Sequence, residues 1–475
     1  MIVRHLFPFL LRCCIFSNIC DIADAFFSVR YNGSSSSSQT KMFHRRPQPP
    51  VSPKIRAKRK QTRRAKTMSF SASAEDEAES ENGPRANLLD LLSTCVDAAE
   101  RGCAAIRRVQ EERERRDRAG APSALAVDYK IDGDPRSAVT AADVSSQAAI
   151  VDALTREWPR LTIVGEEDVV AREERSTLEG GEGCLRKDLC YKDDDAAASG
   201  VAGKEAALDR IAVFVDPLDG TREFVEGRLE NVQILIGITV DGVAVGGAVG
   251  LPFPPRRAEE KDRCPASSSV VVYGLVGAGR LGVRGDEGST AENAAPVRSE
   301  GTLLLAAGDT NDRVLADAYR AVSDASPGGC VRVLMGGTGT KILAVAEGRA
   351  DVAVMNFKSS RWDTCAAEGL LRTVGGRLTD LLGEPLVHRP DIVPPATSYL
   401  NDLGAVASAA HAAQVHAGAC EAMRRNPAAL EKLVGVWGLT EEEAREADAE
   451  GVSRVMGQRR KIQTQGLPCV STPLA

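Results

Sequence analysis

Apolar residues change their spacing along this chain, and the changes divide it. Between 86 and 118, Leu88, Leu89, Leu92, Val96 and Ala99, with Ile106 and Val109 beyond, recur every three or four residues. That spacing predicts a helix with one apolar face, and the charges crowded from Arg107 to Arg118 mark an exposed end. Thr140 and Asp143 precede a second helical pattern at 144–158, where Val144, Ala148, Val151 and Leu154 share a face and Pro159 stops it. A short buried strand, 161–164, then runs into Gly165-Glu166-Glu167-Asp168. Residues 169–208, full of Glu, Gly, Lys and Asp, read as a mobile insertion. Continuous apolar runs at 211–215, 232–240 and 243–251 predict buried strands, and Asp241-Gly242 joins the last two as a hairpin.

Beyond an apolar run at 269–276 and a glycine-rich stretch, strands and helices alternate. Strands are expected at 302–307, 331–335, 351–357 and 377–381, and helices at 312–322, 340–346 and 364–374. The first half therefore reads as α+β and the second as α/β, which places the whole in the α/β class. A length of 475 residues suffices for two domains of ordinary size. The expected divisions are a signal-like segment at 1–25, a transit-like segment and linker at 26–85, an α+β subdomain at 86–255, an α/β subdomain at 256–430 and an extension at 431–475.

Charge is unevenly placed. Residues 1–67 hold fourteen Lys and Arg against Asp21 and Asp24, a net +12, which leaves −18 on the remainder of a chain whose overall charge is −6. An acidic body excludes general binding of a nucleic-acid polymer, because phosphate neutralisation needs Lys and Arg on the folded face. The apolar run 6–20 contains Arg12 and is too short to span a bilayer. It ends at Ala23-Asp24-Ala25, with Phe26 and Phe27 next, and residues 28–67 are rich in Ser, Lys, Arg and Pro without one acid. A signal-like segment followed by a basic transit-like one resembles a bipartite presequence for plastid import; a mitochondrial presequence or a cytoplasmic protein with a basic tail are the alternatives.

The twelve cysteines show neither CxxC pairs nor zinc spacing. Cys184 and Cys190 flank an expected loop and could pair, although free thiols in a reducing compartment are the simpler reading. The five histidines, His5, His44, His388, His411 and His416, stand near the two ends. Ser-His-Asp and Cys-His chemistry is thus poorly supported, and carboxylates are the available reactive groups.

The densest chemistry is Asp216-Pro217-Leu218-Asp219-Gly220-Thr221, where the strand 211–215 breaks into a turn. Pro217 cannot continue a strand's ladder, Gly220 offers a bare amide, and Thr221 can cap a helix at 222–226. By itself the hexapeptide is equally an ordinary Asp-Pro turn with a capping Thr. Glu166 after its strand and Asp363 at a helix start add carboxylates at element ends; alone, the first is solvent-facing charge and the second an N-cap. Together, Glu166, Asp216, Asp219 and Asp363 supply hard oxygens enough for two or three Mg²⁺ ions, which keep waters and bridge to a substrate phosphate. Gly277-Ala278-Gly279-Arg280-Leu281-Gly282 has the GxGxxG spelling, but Gly-, Asp- and Ser-rich sequence follows where a dinucleotide site needs a helix, so it reads as a β-turn. Gly336 to Lys341 lacks the GxxxxGK[ST] spacing of a nucleotide-triphosphate loop.

The succession GEED, DPLDGT and WDTCAAEGLLRTVGG resembles the lithium-sensitive, magnesium-dependent phosphatases of the inositol monophosphatase superfamily, and within it the bisphosphate nucleotidase branch. Residues 230–238, 336–342 with Glu347-Gly348, and 381–383 add to the likeness, which spans about 86–430. It implies an αβαβα layered sandwich. It also implies metal ligation by Glu166, Asp216, Asp219, Asp363 and the main-chain oxygen of Leu218. Asp143 and Thr221 would orient and deprotonate a water, and the Gly220 and Thr221 amides would hold the phosphate under attack. Gly337 and Lys341 match positions used around the substrate, Lys341 as a point charge for a second phosphate; read alone, it is a first-turn surface lysine. One departure is Ala306-Ala307-Gly308-Asp309-Thr310-Asn311, where such nucleotidases often carry a Ser/Thr-Arg-x-His-like segment. The resemblance thus implies release of the 3′-phosphate of 3′-phosphoadenosine 5′-phosphate, by a monomer, or a dimer as the alternative. An inositol phosphate is the rival substrate, and a catalytically silent phosphonucleotide sensor is the rival of another class.

Overall fold

The computed structural model describes residues 83–120, 127–129, 138–167, 204–254, 269–285, 301–309, 312–355, 357, 359–391 and 399–437. The signal-like and transit-like segments, Cys184 and Cys190, most of the expected insertion and the tail beyond Trp437 lie outside these residues. The first half runs β1 (Arg85–Asn87), α1 (Leu88–Arg118), β2 (Val127–Tyr129), β3 (Ala138–Thr140), α2 (Ala141–Glu157), β4 (Thr162–Gly165) and β5 (Glu205–Ala207). It continues through β6 (Ile211–Asp219), α3 (Thr221–Glu226), β7 (Gln233–Val240), β8 (Val243–Leu251), β9 (Val270–Leu275) and β10 (Gly282–Arg284). The second half contains β11 (Leu303–Ala307), α4 (Arg313–Asp324), β12 (Cys330–Leu334), α5 (Thr338–Ala346), β13 (Val352–Met355) and α6 (Arg361–Thr373). It closes with β14 (Arg377–Thr379), β15 (Ala405–Ser408), α7 (Ala413–Arg424) and α8 (Pro427–Trp437).

Two sheets organise these elements: a six-stranded one, β10-β9-β8-β7-β6-β4, and a five-stranded one, β12-β11-β13-β15-β14. Helices α1 and α2 cover the outer face of the first sheet, α5 and α6 lie between the sheets, and α4 and α7 cover the second. The result is the αβαβα sandwich expected of the resemblance, an α/β fold. Strands β6, β7 and β9 are buried along their whole length, because helices cover both faces. The apolar stripe of α1 is buried through Leu91, Leu92, Cys95, Val96, Ala99 and Ile106, while its charged end reaches Arg118 and is laced by ion pairs such as Arg116–Glu112.

Several expectations change. The boundary at 255/256 cuts the first sheet, since β9 pairs with β8 and β10 with β9. The expected insertion ends in a strand, β5, paired antiparallel with β1. Strand β4, expected to be buried, is an edge with Thr162 exposed. Strand β15 and helix α7 had no clear periodic signal, yet β15 joins β13 to β14 in the middle of the second sheet; Ala405, Val406 and Ala407 are three small apolar residues with no alternation to read. The GxGxxG segment is the turn of the β9–β10 hairpin, as its following sequence indicated.

Candidate active site

Strand β6 does not stop at Asp216. Pairing with β7 passes Asp216↔Leu235 and resumes at Asp219↔Gln233, so Pro217 and Leu218 fall in a bulge with one extra residue. The ladder tolerates Pro217 because a bulge needs no N–H there. The bulge is held by two buried contacts. Leu218 N–H donates to Asp216 Oδ1 at 2.9 Å, and Ser146 Oγ donates to the Pro217 carbonyl at 2.8 Å. Asp216 and Asp219 therefore leave the same strand at different angles.

Gly220 follows with φ of 90°, a left-handed conformation that a side chain would strain, and an added Cβ would stand 2.8 Å from the Asn231 carbonyl. Helix α3 starts at Thr221, not one residue later, and Thr221 is not its cap. Its hydroxyl is instead within reach of Asp143 Oδ1 at 2.9 Å and the Leu218 carbonyl at 3.1 Å. Asp143 is the third residue of α2, in a capping box with Thr140. Its Oδ2 accepts both the Thr140 N–H and the Thr140 hydroxyl at 2.7 Å. Burial pushes the Asp143 carboxyl up to about 6, against the opposing pull of its Thr140 and Thr221 donors.

Asp363 likewise lies inside its helix. Helix α6 begins at Arg361, Ser360 is the cap, and Asp363 closes a capping box on the Ser360 N–H at 2.9 Å. Asp363 Oδ2 accepts that N–H, and the same carboxyl meets Asp216 on β6. Carboxylate oxygens of Glu166, Asp216 and Asp363 lie within 4.8 Å of one another. Asp219 stands beside this trio, its Oδ2 accepting the Gly339 N–H at 2.8 Å at the start of α5. Burial, then the charges of Glu166, Asp363 and Asp219, hold Asp216 well above the usual carboxylate range. Burial and Glu166 do the same to Asp363. Asp219 is pushed up to about 6 by burial, with Lys341 and the α5 amides opposing.

Two charges about 4 to 5 Å apart repel by roughly 3 to 4 kcal/mol at an effective dielectric of about 20. Three such pairs come to roughly 10 kcal/mol, comparable to the whole stability of a domain. Ionised together, these converging hard oxygens, Asp216 buried and Glu166 and Asp363 half-buried, fit a divalent cation.

Gly337 precedes α5, and a Cβ on it would meet Asp219 Oδ2 at 2.9 Å and Thr340 Oγ1 at 3.0 Å. Lys341 is not the open surface cation that its place in the first turn suggested. It is buried, and its Nζ donates to the Gly337 carbonyl; burial pulls its pKa down. Sequence reasoning gave Thr140 only as a helix start and missed Ser146, which holds the Pro217 carbonyl, and Gln147, whose amide donates to the Glu167 carbonyl. Ser146 and Gln147 follow Asp143 by three and four positions, on one helix face with it, and that spacing was the available signal. Among the described residues no histidine joins the cluster: His388 contacts Glu368 at 2.7 Å, and His416 lies between Thr379 and Ser408.

A layered αβαβα fold with carboxylates converging beside a hydroxyl–carboxylate pair defines a class of phosphatases. Residues 91–426 match the inositol monophosphatase family, and the chain belongs to it. A Rattus norvegicus protein named 3′(2′),5′-bisphosphate nucleotidase 1 is 31% identical over 272 residues, covering 57% of this chain and 78% of the relative. A Dictyostelium discoideum protein of the same name is 30% identical over 312 residues, 64% of this chain and 89% of the relative. Inositol monophosphatase 3 of Danio rerio is 25% identical over 312 residues, covering 63% and 76%. The chain is thus a phosphatase, acting on small phosphorylated substrates as its family does.

Proposed function

We propose that this phosphatase removes the 3′-phosphate of 3′-phosphoadenosine 5′-phosphate, giving AMP and inorganic phosphate, and that it also accepts 3′-phosphoadenosine 5′-phosphosulfate. The convergence of Glu166, Asp216 and Asp363 beside the Thr221–Asp143 pair carries the reading. The names of the two relatives at 30% and 31% identity favour a nucleotide over an inositol phosphate.

Mg²⁺ held by Glu166, Asp216, Asp219, Asp363 and the Leu218 carbonyl would acidify water and neutralise charge on the phosphate. The protein's own groups supply the rest. Thr221 Oγ1, donating to Asp143, keeps its lone pairs for a water proton, and Asp143 receives the hydroxyl proton in turn. Thr140 fixes the Asp143 carboxylate through two hydrogen bonds, so the accepting oxygen Oδ1 faces Thr221. The left-handed turn at Gly220 leaves no side chain there, so its amide and that of Thr221 would be open to the phosphate. Gly337 and Lys341 border the space for the rest of the substrate.

Phosphate release from 3′-phosphoadenosine 5′-phosphate, 3′-phosphoadenosine 5′-phosphosulfate, inositol 1,4-bisphosphate and inositol 1-phosphate tests this directly. The first nucleotide should show the highest kcat/KM, strictly with Mg²⁺, and Li⁺ should inhibit. Faster turnover of either inositol phosphate refutes the nucleotide assignment.

A further inference from the structure

A bisphosphate substrate brings a second anion, and the cations around this site differ in their freedom to meet it. Lys341 is buried and donates to the Gly337 carbonyl. Arg228 is held by both Glu223 and Glu226. Arg222 is different. It directly follows Thr221, so its backbone is fixed beside the hydroxyl–carboxylate pair. Its Nε donates to Glu226 Oε1 at 2.9 Å, while its Nη1 lies 3.8 Å from Asp309 Oδ2, the long limit of an ion pair.

Asp309 stands just past the end of β11, with its side chain 71% exposed. The Lys341 ammonium experiences Asp219, Asp309, Glu223 and Asp363 together, so Asp309 borders the same region of charge as the carboxylate cluster. An exposed ion pair with one long contact is weak and screened by solvent. A phosphate dianion offers two oxygens to the planar guanidinium fork and makes stronger, charge-assisted bonds. Such a ligand would displace Asp309.

We propose that Arg222 receives the second anionic group of the substrate and that Asp309 is its internal competitor, so that this pair sets the preference for doubly over singly phosphorylated substrates. Arg222 is then a specificity-determining residue, and Asp309 tunes it. The assignment rests on the reading of the site as one for bisphosphate nucleotides.

Adenosine 3′,5′-bisphosphate and adenosine 3′-monophosphate differ only in the second phosphate, so the ratio of their kcat/KM values isolates it. Arg222→Gln should lower that ratio at least tenfold, through KM. Asp309→Asn should raise it about threefold or more, and the double variant should behave like Arg222→Gln. Calorimetry with AMP, which carries only the second phosphate, should show at least tenfold weaker binding to Arg222→Gln. Equal losses on both substrates, unchanged AMP binding, or an Asp309→Asn ratio that stays level or falls would overturn the proposal. A wild-type protein that binds AMP but hydrolyses neither compound refutes the nucleotide-substrate reading while leaving the Arg222 assignment to be judged by AMP binding alone. One that does neither removes both.

Discussion

At the scale of single residues, Asp143 shows how a structural motif would be turned to the proposed chemistry. One of its oxygens closes a capping box with Thr140, and the other holds the Thr221 hydroxyl. A cap alone contributes about 1 kcal/mol, whereas a positioned base contributes about 10²- to 10⁴-fold in rate. The sequence showed the cap spacing and the resemblance supplied the base; the pKa of about 6 required the buried surroundings that only the fold creates. Asp143→Asn should therefore lower kcat by at least about 100-fold while costing little stability. Thr221→Ser, which keeps the hydroxyl, should stay within about tenfold of the parent, and Thr221→Val should fall with Asp143→Asn. The Asp143-dependent limb of the rate should decline as pH falls through about 6, since the base must be ionised. Steady-state rates of the folded variants decide; a fully active Asp143→Asn removes the relay.

At the scale of elements, what brings the carboxylates together is close packing of α6 against the first sheet. Gly237 of β7 faces Ala366, and an added Cβ would stand 2.5 Å from both the Ala366 nitrogen and Cys365 Sγ. Gly369 lies equally close to the Gly246 backbone, and a Cβ on Gly247 would be 2.9 Å from the Ala366 carbonyl. Helix α6 rides low on these glycines, which lets Asp363 in its first turn approach Asp216 on β6. Nothing in the apolar periodicity announced this. Long periodic elements such as α1, α2 and the buried strands were legible, because their spacing is set by one face or two. The bulge at Pro217-Leu218 and the true starts of α3 and α6 were not, because tertiary pairing with β7 and the capping box at Ser360 determine them. The carboxylates were visible as residues, but their convergence depends on contacts more than a hundred positions apart. Gly237→Ala should cost roughly 1 to 3 kcal/mol as overpacking and also lift α6 from β6. Gly435→Ala in α8, where nothing lies within 4 Å, should be neutral or slightly stabilising. Thermal unfolding with and without Mg²⁺ separates the effects. Lower stability with a full Mg²⁺-induced shift in Gly237→Ala would show that the glycines serve packing alone.

At the scale of the whole molecule, the site is bought with stability. Asp143 and Asp219 are pushed up to about 6 in the folded state, and Asp216 and Asp363 lie well above the usual range, while their unfolded values are near 4. The folded protein thus binds protons that the unfolded chain releases. Stability from these groups is fully present below about pH 4 and is lost as pH rises through about 6 and beyond. Glu226 and Asp391 act the other way, since their arginine partners lower them, but they titrate below the window of interest; His416, lowered to about 4 by burial, opposes the loss within it and reduces the net slope. Between pH 5.5 and 8 the metal-free protein should therefore become less stable by a few kcal/mol, a fall in Tm on the order of 5 °C. On the proposed reading Mg²⁺ binds the ionised carboxylates, so its stabilising effect should grow over the same range and cancel much of that loss. Scanning calorimetry of chelator-treated protein, with and without Mg²⁺ at each pH, measures both slopes. Asp216→Asn removes one buried charge from the cluster and should flatten the metal-free slope while weakening the Mg²⁺ response. A metal-free Tm that rises toward pH 8 would mean that cations already within the fold, Lys341 foremost, neutralise the cluster, and the carboxylates would then not require a metal to ionise.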